Sequence, residues 1–317
     1  MTEVIINDSD LKAVEGQVVF ITGGASGIGL ATALLCAKLG AKVVVGDRSP
    51  LPTDVTQPNL SHVLLDVSSW ESLSAAFKEV VKRHGRIDHV FANAGIGPRT
   101  NLLEDNLDEN GDLKEPDHTT LEINLKSVMN TAALAFHYMK KDSRGGSVVL
   151  IGSASSFQRF QAVDYCTFEF PPPDPGPKAT AKHGVLGLMR SLTLLLHPKL
   201  PIRINALAPC WTATKMIPGD FLQSVGVGFQ GPETVARSAA LLMADQSRHG
   251  QLIYSEEGRY MEIDEGLRAA ARSLCQDREP ITNAVDKMRM ARHTEILSEF
   301  GAEKSEAVER VAGVASQ

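Results

Sequence analysis

Val-Val-Phe-Ile-Thr (18–22) runs without a break into Gly-Gly-Ala-Ser-Gly-Ile-Gly (23–29). The first five residues are continuously apolar up to the closing threonine and rich in β-branched side chains, the pattern of a strand buried on both faces of a parallel sheet. The glycines then open a helical stretch, GLATALLCAKLG (29–40). Their spacing, Gly23, Gly27 and Gly29, lets the backbone turn tightly and come close to a pyrophosphate, which the free N–H groups and dipole of a helix N-terminus attract. A glycine motif alone is a weak signal. Its position at a strand-to-helix junction near the start of the chain gives it weight.

Working outward, the same alternation continues. AKVVVGD (41–47), HVLLD (62–66), HVFANAG (89–95), SVVLIGS (147–153), IRINALAP (202–209) and QLIYS (251–255) read as further strands, and SSWESLSAAFKEVVKRHG (68–85) as a helix between them. This βαβα order predicts an α/β fold, a doubly wound parallel sheet of Rossmann type in three αβα layers. The expected organisation is an N-terminal tail over 1–15, one sheet domain over 16–263 and a helical C-terminal extension over 264–317. Asp47 closes the second strand, where a carboxylate accepts hydrogen bonds from adenosine ribose hydroxyls and repels a 2′-phosphate. NAD is therefore expected rather than NADP, with Arg48 as the one residue that argues the other way.

Composition excludes several classes. A net charge of −6 without a basic stripe argues against nucleic acid and anionic membranes as partners. Cys36, Cys166, Cys210 and Cys275 are far apart and form no metal-binding or disulfide pattern, which fits a reducing compartment. No stretch approaches the roughly 20 apolar residues of a membrane span, so a cytoplasmic location is expected. Seven acids lie between residues 97 and 118, at irregular spacing. They read as a solvated loop.

TGGASGIG (22–29), Asp66-Val67 and Asn93-Ala94-Gly95 stand in the order and at the separations of the three cofactor-side motifs of short-chain dehydrogenases/reductases. The chain resembles that family over roughly residues 16–260. The resemblance implies that Gly23, Ser26, Gly27, Ile28, Gly29, Asp47, Asp66, Val67, Asn93, Ala94 and Gly95 bind the cofactor. It adds Thr212 and Thr214, in APCWTATKM (208–216), at the nicotinamide, with Cys210 where the family has glycine. Asn124, Ser153 and Lys182 match the family's catalytic Asn, Ser and Lys. Its catalytic Tyr is the acid/base for hydride exchange between a nicotinamide and a secondary alcohol or ketone. A free phenol titrates near pH 10, and a neighbouring ammonium brings it toward the working range. The family's Ser holds the substrate oxygen, and its Asn anchors a water leading to the Lys.

Here the pattern is interrupted. The family places its Tyr four residues before the Lys, but that position holds Lys178. Tyr165 stands at the usual distance after Ser153 and is followed by Cys166, yet seventeen residues before Lys182. Removing residues 168–180, which include PPPDPGP (171–177), restores Tyr-Cys-Thr-Ala-Lys; Tyr165 is thus the displaced family tyrosine. Three readings stay open. The insert loops out and Tyr165 returns to its place; or Lys178 takes that place and the protein is a cofactor-binding pseudoenzyme; or the cellular chain lacks the thirteen residues, which sequencing the transcript decides. The Tyr-Cys…Ala-Lys-His-Gly flavour, with Asp47, is similar to 15-hydroxyprostaglandin dehydrogenase-like members, which oxidise with NAD. Trp211, Met216, Ile217, Phe221 and Leu222 suit an apolar pocket for a small-molecule substrate, under a covering loop at 211–232. The helices at 124–140 and 181–196 correspond to the family's subunit interface, which implies a homodimer or homotetramer.

Overall fold

The computed structural model describes residues 2–158 and 179–275. Nine strands form one sheet in the order β1-β9-β8-β7-β6-β5-β2-β3-β4. They are β1 (Thr2–Glu3), β2 (Val18–Thr22), β3 (Lys42–Asp47), β4 (Leu60–Leu64), β5 (His89–Ala92), β6 (Gly146–Ile151), β7 (Ile202–Pro209), β8 (Leu252–Glu256) and β9 (Arg259–Glu262). The seven strands expected from their apolar runs, β2 to β8, are all parallel to one another. Two short antiparallel strands extend one edge, β9 beside β8 and β1 beside β9. Every residue of β2, β5 and β7 is buried, as strands covered on both faces must be.

The helices are α1 (Gly27–Lys38), α2 (Trp70–His84), α3 (Thr119–Leu121), α4 (Ser127–Met139), α5 (Ala179–Thr193), α6 (Gly219–Ser224), α7 (Pro232–Ala244) and α8 (Asp264–Leu274). The boundaries of α2 follow local chemistry. The Ser69 hydroxyl accepts from Ser72 N at 3.1 Å; Lys82, Arg83 and His84 occupy the last turn, and Gly85 ends it at φ 78°. Cap, basic C-terminal charges and left-handed glycine are what a helix end requires. Phe77 of α2 meets Phe20 of β2 edge-to-face at 5.0 Å between ring centres, which fastens this layer to the sheet. On the other face α1 and α7 share the buried cluster of Ala33, Cys36, Val235 and Ala239 with Val19 and Ile21 of β2.

At the N-terminus, Leu11 and Val14 are buried, and Arg237 of α7 donates to Ile6 O at 2.8 Å. Residues 1–265 form one compact unit and 266–317 a second, of which the part up to Cys275 is described. Residues 276–317 of the expected extension lie outside the described residues, as does nearly all of the insert at 168–180.

Register places the site. Val63, Gly46, Thr22, Ala92, Leu150, Ala206 and Leu252 form one row of partners across the seven parallel strands. The strand order reverses between β2 and β5. Open α/β sheets bind ligands beyond the carboxyl ends of their strands at such a reversal.

Candidate active site

A cleft of about 440 Å³ opens beyond that row. Of the residues expected from sequence, Gly23, Ser26, Gly27, Ile28, Asp47, Asp66, Val67, Asn93, Ala94, Gly95, Asn124, Ser153, Lys182, Thr212 and Thr214 all line it. Gly29 is not part of the wall; it is buried behind it. Tyr165 lies outside the described residues.

The glycine turn is shaped by close approach. Gly23, at φ 67°, faces Ala94, whose Cα would lie 2.6 Å from an added Cβ. At Gly29 an added Cβ would overlap Gly23 O and come within 2.5 Å of Asn93 Nδ2. Asn93 is itself committed to this turn, donating to Gly23 O at 2.9 Å and Thr22 O at 3.2 Å. The Ser26 side chain makes no capping bond at the start of α1, and Ser26, Gly27 and Ile28 of that helix start line the cleft. Asp47 is oriented from both sides, by Ala25 N at 3.0 Å and Ser49 N at 2.9 Å. Asp66 accepts from the Ser68 hydroxyl and amide, which hold its carboxyl below the usual range. A nicotinamide dinucleotide fits these residues. The glycines let the turn pack directly against Ala94 and Asn93, which brings the N-terminus of α1 to the cleft wall at Ser26, Gly27 and Ile28, where it meets a pyrophosphate's charge. Asp47 presents a carboxylate to the ribose end.

At the other end of the cleft, Lys182 of α5 is buried and donates to Ile151 O at 2.8 Å. Ile151 ends β6, and Ser153 follows two residues on, so the ammonium is docked beside that serine's turn. Burial pushes the Lys182 ammonium down to about 8. The Ser153 hydroxyl accepts from Ser155 N at 3.2 Å, while Ser153 N donates to the Ser156 hydroxyl at 3.1 Å. Asn124 lies in a π-helical turn, Glu122–Lys126, between α3 and α4. Its amide clamps Ile96 twice, accepting from Ile96 N at 2.8 Å and donating to Ile96 O at 2.9 Å. Single π-turns commonly mark functional sites.

The two threonines behave differently. Thr212 is buried, donates to Cys210 O at 2.9 Å and receives Gln230 Nε2 at 3.3 Å. The Thr214 hydroxyl accepts only Met216 N at 3.2 Å among the described residues. Trp211, Met216 and Ile217 line the cleft as expected, but Phe221 and Leu222 do not. Leu222 is buried in the packing of α6 instead. Sequence reasoning passed over Ile96, Ile123, Ser155 and Lys215, which also line the cleft. Ser155 Oγ is buried with no hydrogen-bond partner among the described residues. Its place two residues after Ser153, on the same turn, was the available signal.

The acidic loop ties itself together. Asp108 accepts from Asn110 N at 2.8 Å and Asp112 N at 3.0 Å, and Leu107 bridges Leu113.

Comparison with known proteins agrees with this geometry. The short chain dehydrogenase family model matches residues 17–223. The chain is 46% identical over 275 residues to the short-chain dehydrogenase/reductase ascJ of Acremonium egyptiacum, covering 86% of this chain and 88% of that one. It is 38% identical over 220 residues to the short-chain dehydrogenase/reductase prx4 of Penicillium rubens, covering 69% of this chain and 62% of that one. Among solved structures, the aldohexose dehydrogenase of Thermoplasma acidophilum in its ligand-free form superposes with a TM-score of 0.63 at 22% identity, covering 78% of this chain and 95% of that one. The sheet, its cleft and these matches lead to one conclusion: the chain belongs to the short chain dehydrogenase family, oxidoreductases that work with a nicotinamide cofactor.

Proposed function

We propose that the protein is an NAD-dependent dehydrogenase exchanging hydride with a secondary alcohol or ketone. The observation that carries this reading is the shared cleft: Asp47 stands at one end of it, and the buried Lys182 ammonium beside Ser153 at the other. The nicotinamide, when bound, supplies the hydride acceptor or donor.

The chain's own residues do the rest. The Ser153 hydroxyl holds the substrate oxygen. In the oxidising direction, favoured by the likeness to the 15-hydroxyprostaglandin dehydrogenase branch, Tyr165 takes the hydroxyl proton as hydride leaves the carbinol carbon. Lys182 holds a positive charge that favours the phenolate, and the desolvated wall strengthens that attraction. Asn124 acts at a distance from the reacting atoms, anchoring the water that leads to Lys182. Ile96, Ile123, Trp211, Met216 and Ile217 give the substrate an apolar wall that excludes water from the reaction.

NAD is favoured over NADP because the Asp47 carboxylate repels a 2′-phosphate. A homodimer or homotetramer through α4 and α5 suits Met129, Leu194 and Leu195, which are exposed on and just after those helices. The three described cysteines are unpaired, which suits the cytoplasm. A second reading, a dinucleotide-binding pseudoenzyme, is favoured by the thirteen extra residues between Tyr165 and Lys182.

One experiment separates the two. NADH fluorescence is titrated with the purified chain, and turnover of a panel of ketones and secondary alcohols is followed alongside. Binding with turnover that falls at least a hundredfold in Tyr165→Phe supports the enzyme; binding without turnover of any substrate supports the pseudoenzyme. An active chain that keeps its full rate in Tyr165→Phe refutes the assignment of the acid/base.

A further inference from the structure

The geometry points to Lys215 as a cation that closes over the pyrophosphate of the bound dinucleotide, supplied by the loop after β7 rather than by the glycine turn. This rests on the reading of the cleft as a dinucleotide site and adds to it a residue outside the glycine, Asp-Val and Asn-Ala-Gly motifs.

The loop is seated on the anion-binding end of α1. Gly27, the first residue of that helix, has φ 53°, and a Cβ added there would lie 3.3 Å from Thr214 Cγ2. Residue 214 is thus in near contact with the turn whose N–H groups meet the pyrophosphate. The next residue, Lys215, is exposed and lines the same cleft. Its position is fixed by a compact turn: Thr214 N donates to Ile217 O at 3.0 Å, and Met216 N to the Thr214 hydroxyl.

Five charged side chains line the cleft: Asp47, Asp66, Arg48, Lys182 and Lys215. Arg48 stands at the adenosine end, where it helps the Ser68 bonds hold the Asp66 carboxyl low. Lys182 is buried at the catalytic end and bound to Ile151 O. Lys215 forms no ion pair among the described residues. It is the cation left to answer a doubly charged pyrophosphate at the middle of the cleft. A lysine there acts as a mobile point charge on a flexible stem and needs no fixed hydrogen-bond geometry. Because Trp211, Met216 and Ile217 belong to the same loop, anchoring Lys215 on the phosphate also fixes the apolar wall for the substrate.

The test measures affinity and needs no turnover. NAD⁺ binding to the full chain is measured by titration calorimetry at about 20 mM and about 1 M salt, for the wild type, Lys215→Gln and Lys215→Arg. Adenosine, which has no phosphate, serves as the control ligand. Lys215→Gln is expected to bind NAD⁺ about tenfold more weakly at low salt and within about twofold at 1 M, where the screening length falls to about 3 Å. Lys215→Arg stays within about twofold of wild type throughout, and adenosine binds all three alike. Equal NAD⁺ affinity of wild type and Lys215→Gln at low salt overturns the inference. So does a loss that persists at 1 M salt or extends equally to adenosine, since that marks a structural defect. A wild-type chain that binds neither NAD⁺ nor NADP⁺ overturns the dinucleotide reading itself.

Discussion

Replacing Lys182 by Met tests the electrostatics on which the proposed chemistry depends. The Lys182 ammonium is buried with its charge directed at Ile151 O, and burial brings it from an ordinary 10.5 down to about 8. Between those two values the folded protein binds fewer protons at this residue than the unfolded chain does. Stability contributed by the group is therefore lowest below pH 8 and rises as pH climbs toward 10.5. Integrating between pH 7 and pH 9.5 gives a gain of about 2 kcal/mol in the wild type. Met keeps most of the apolar stem and has no proton to lose. It also leaves Ile151 O without this donor, at a cost of about 1–3 kcal/mol that does not vary with pH.

The informative quantity is thus the change with pH in the difference between the two proteins, in which all other titrations cancel. Urea unfolding at both pH values measures it. With a slope of about 2 kcal/mol per molar urea, the wild-type midpoint should gain about 1 M on the variant between pH 7 and 9.5. A difference that stays the same at both pH values would refute the claim that Lys182 carries a desolvated charge.

Other outcomes follow from the same structure. Asp47→Ser removes the carboxylate while Arg48 remains beside it, so the ratio of NADP⁺ to NAD⁺ affinity should rise by about tenfold or more in a fluorescence titration. Gly29→Ala drives a methyl group into Gly23 O and Asn93 Nδ2. Displacing that buried bond should cost about 2–4 kcal/mol in chemical unfolding and weaken dinucleotide binding. Asn124→Ala strands both backbone groups of Ile96. A loss of about 2–4 kcal/mol is expected, seen as a Tm lowered by roughly 5–15 °C.

The central parallel strands were legible because they are apolar runs, and burial on both faces leaves no other home for such runs; the edge strand β4, Leu60–Leu64, has one buried residue and begins two residues before the apolar run that marked it. The edge strands were hidden for physical reasons. β1 is two exposed residues with no apolar pattern. β9 is only four residues long and follows a two-residue turn, Glu257-Gly258, in which Gly258 at φ 85° is the usual residue but Glu257 at φ 48° is not, so the hairpin signal was half present. The cofactor end of the cleft was readable because glycines that a Cβ would wreck cannot be disguised. Phe221 and Leu222 were indistinguishable from cleft-lining residues, since packing and substrate contact ask for the same side chains. Lys215 lies beside Thr214 in the APCWTATKM stretch, but nothing in that stretch tells a cleft cation from a surface lysine; the seating of Thr214 on Gly27, which joins distant parts of the chain, marks it. The π-turn was equally silent, because Glu-Ile-Asn-Leu-Lys has ordinary helical composition and its register is tied to the tertiary bonds of Asn124 with Ile96.

That turn has a consequence for redesign. A π-turn spends one residue more per hydrogen-bonded ring than an α-helix, so the stretch through Asn124 behaves as a one-residue insertion locked in place. Deleting a single position between 122 and 126 would let the backbone relax into regular α geometry and leave α4 with its buried face intact. The relaxation would also rotate the amide away from Ile96. Here the smoother helix is the poorer one, and a stabilisation scheme that rewards helical regularity would unclamp the cleft.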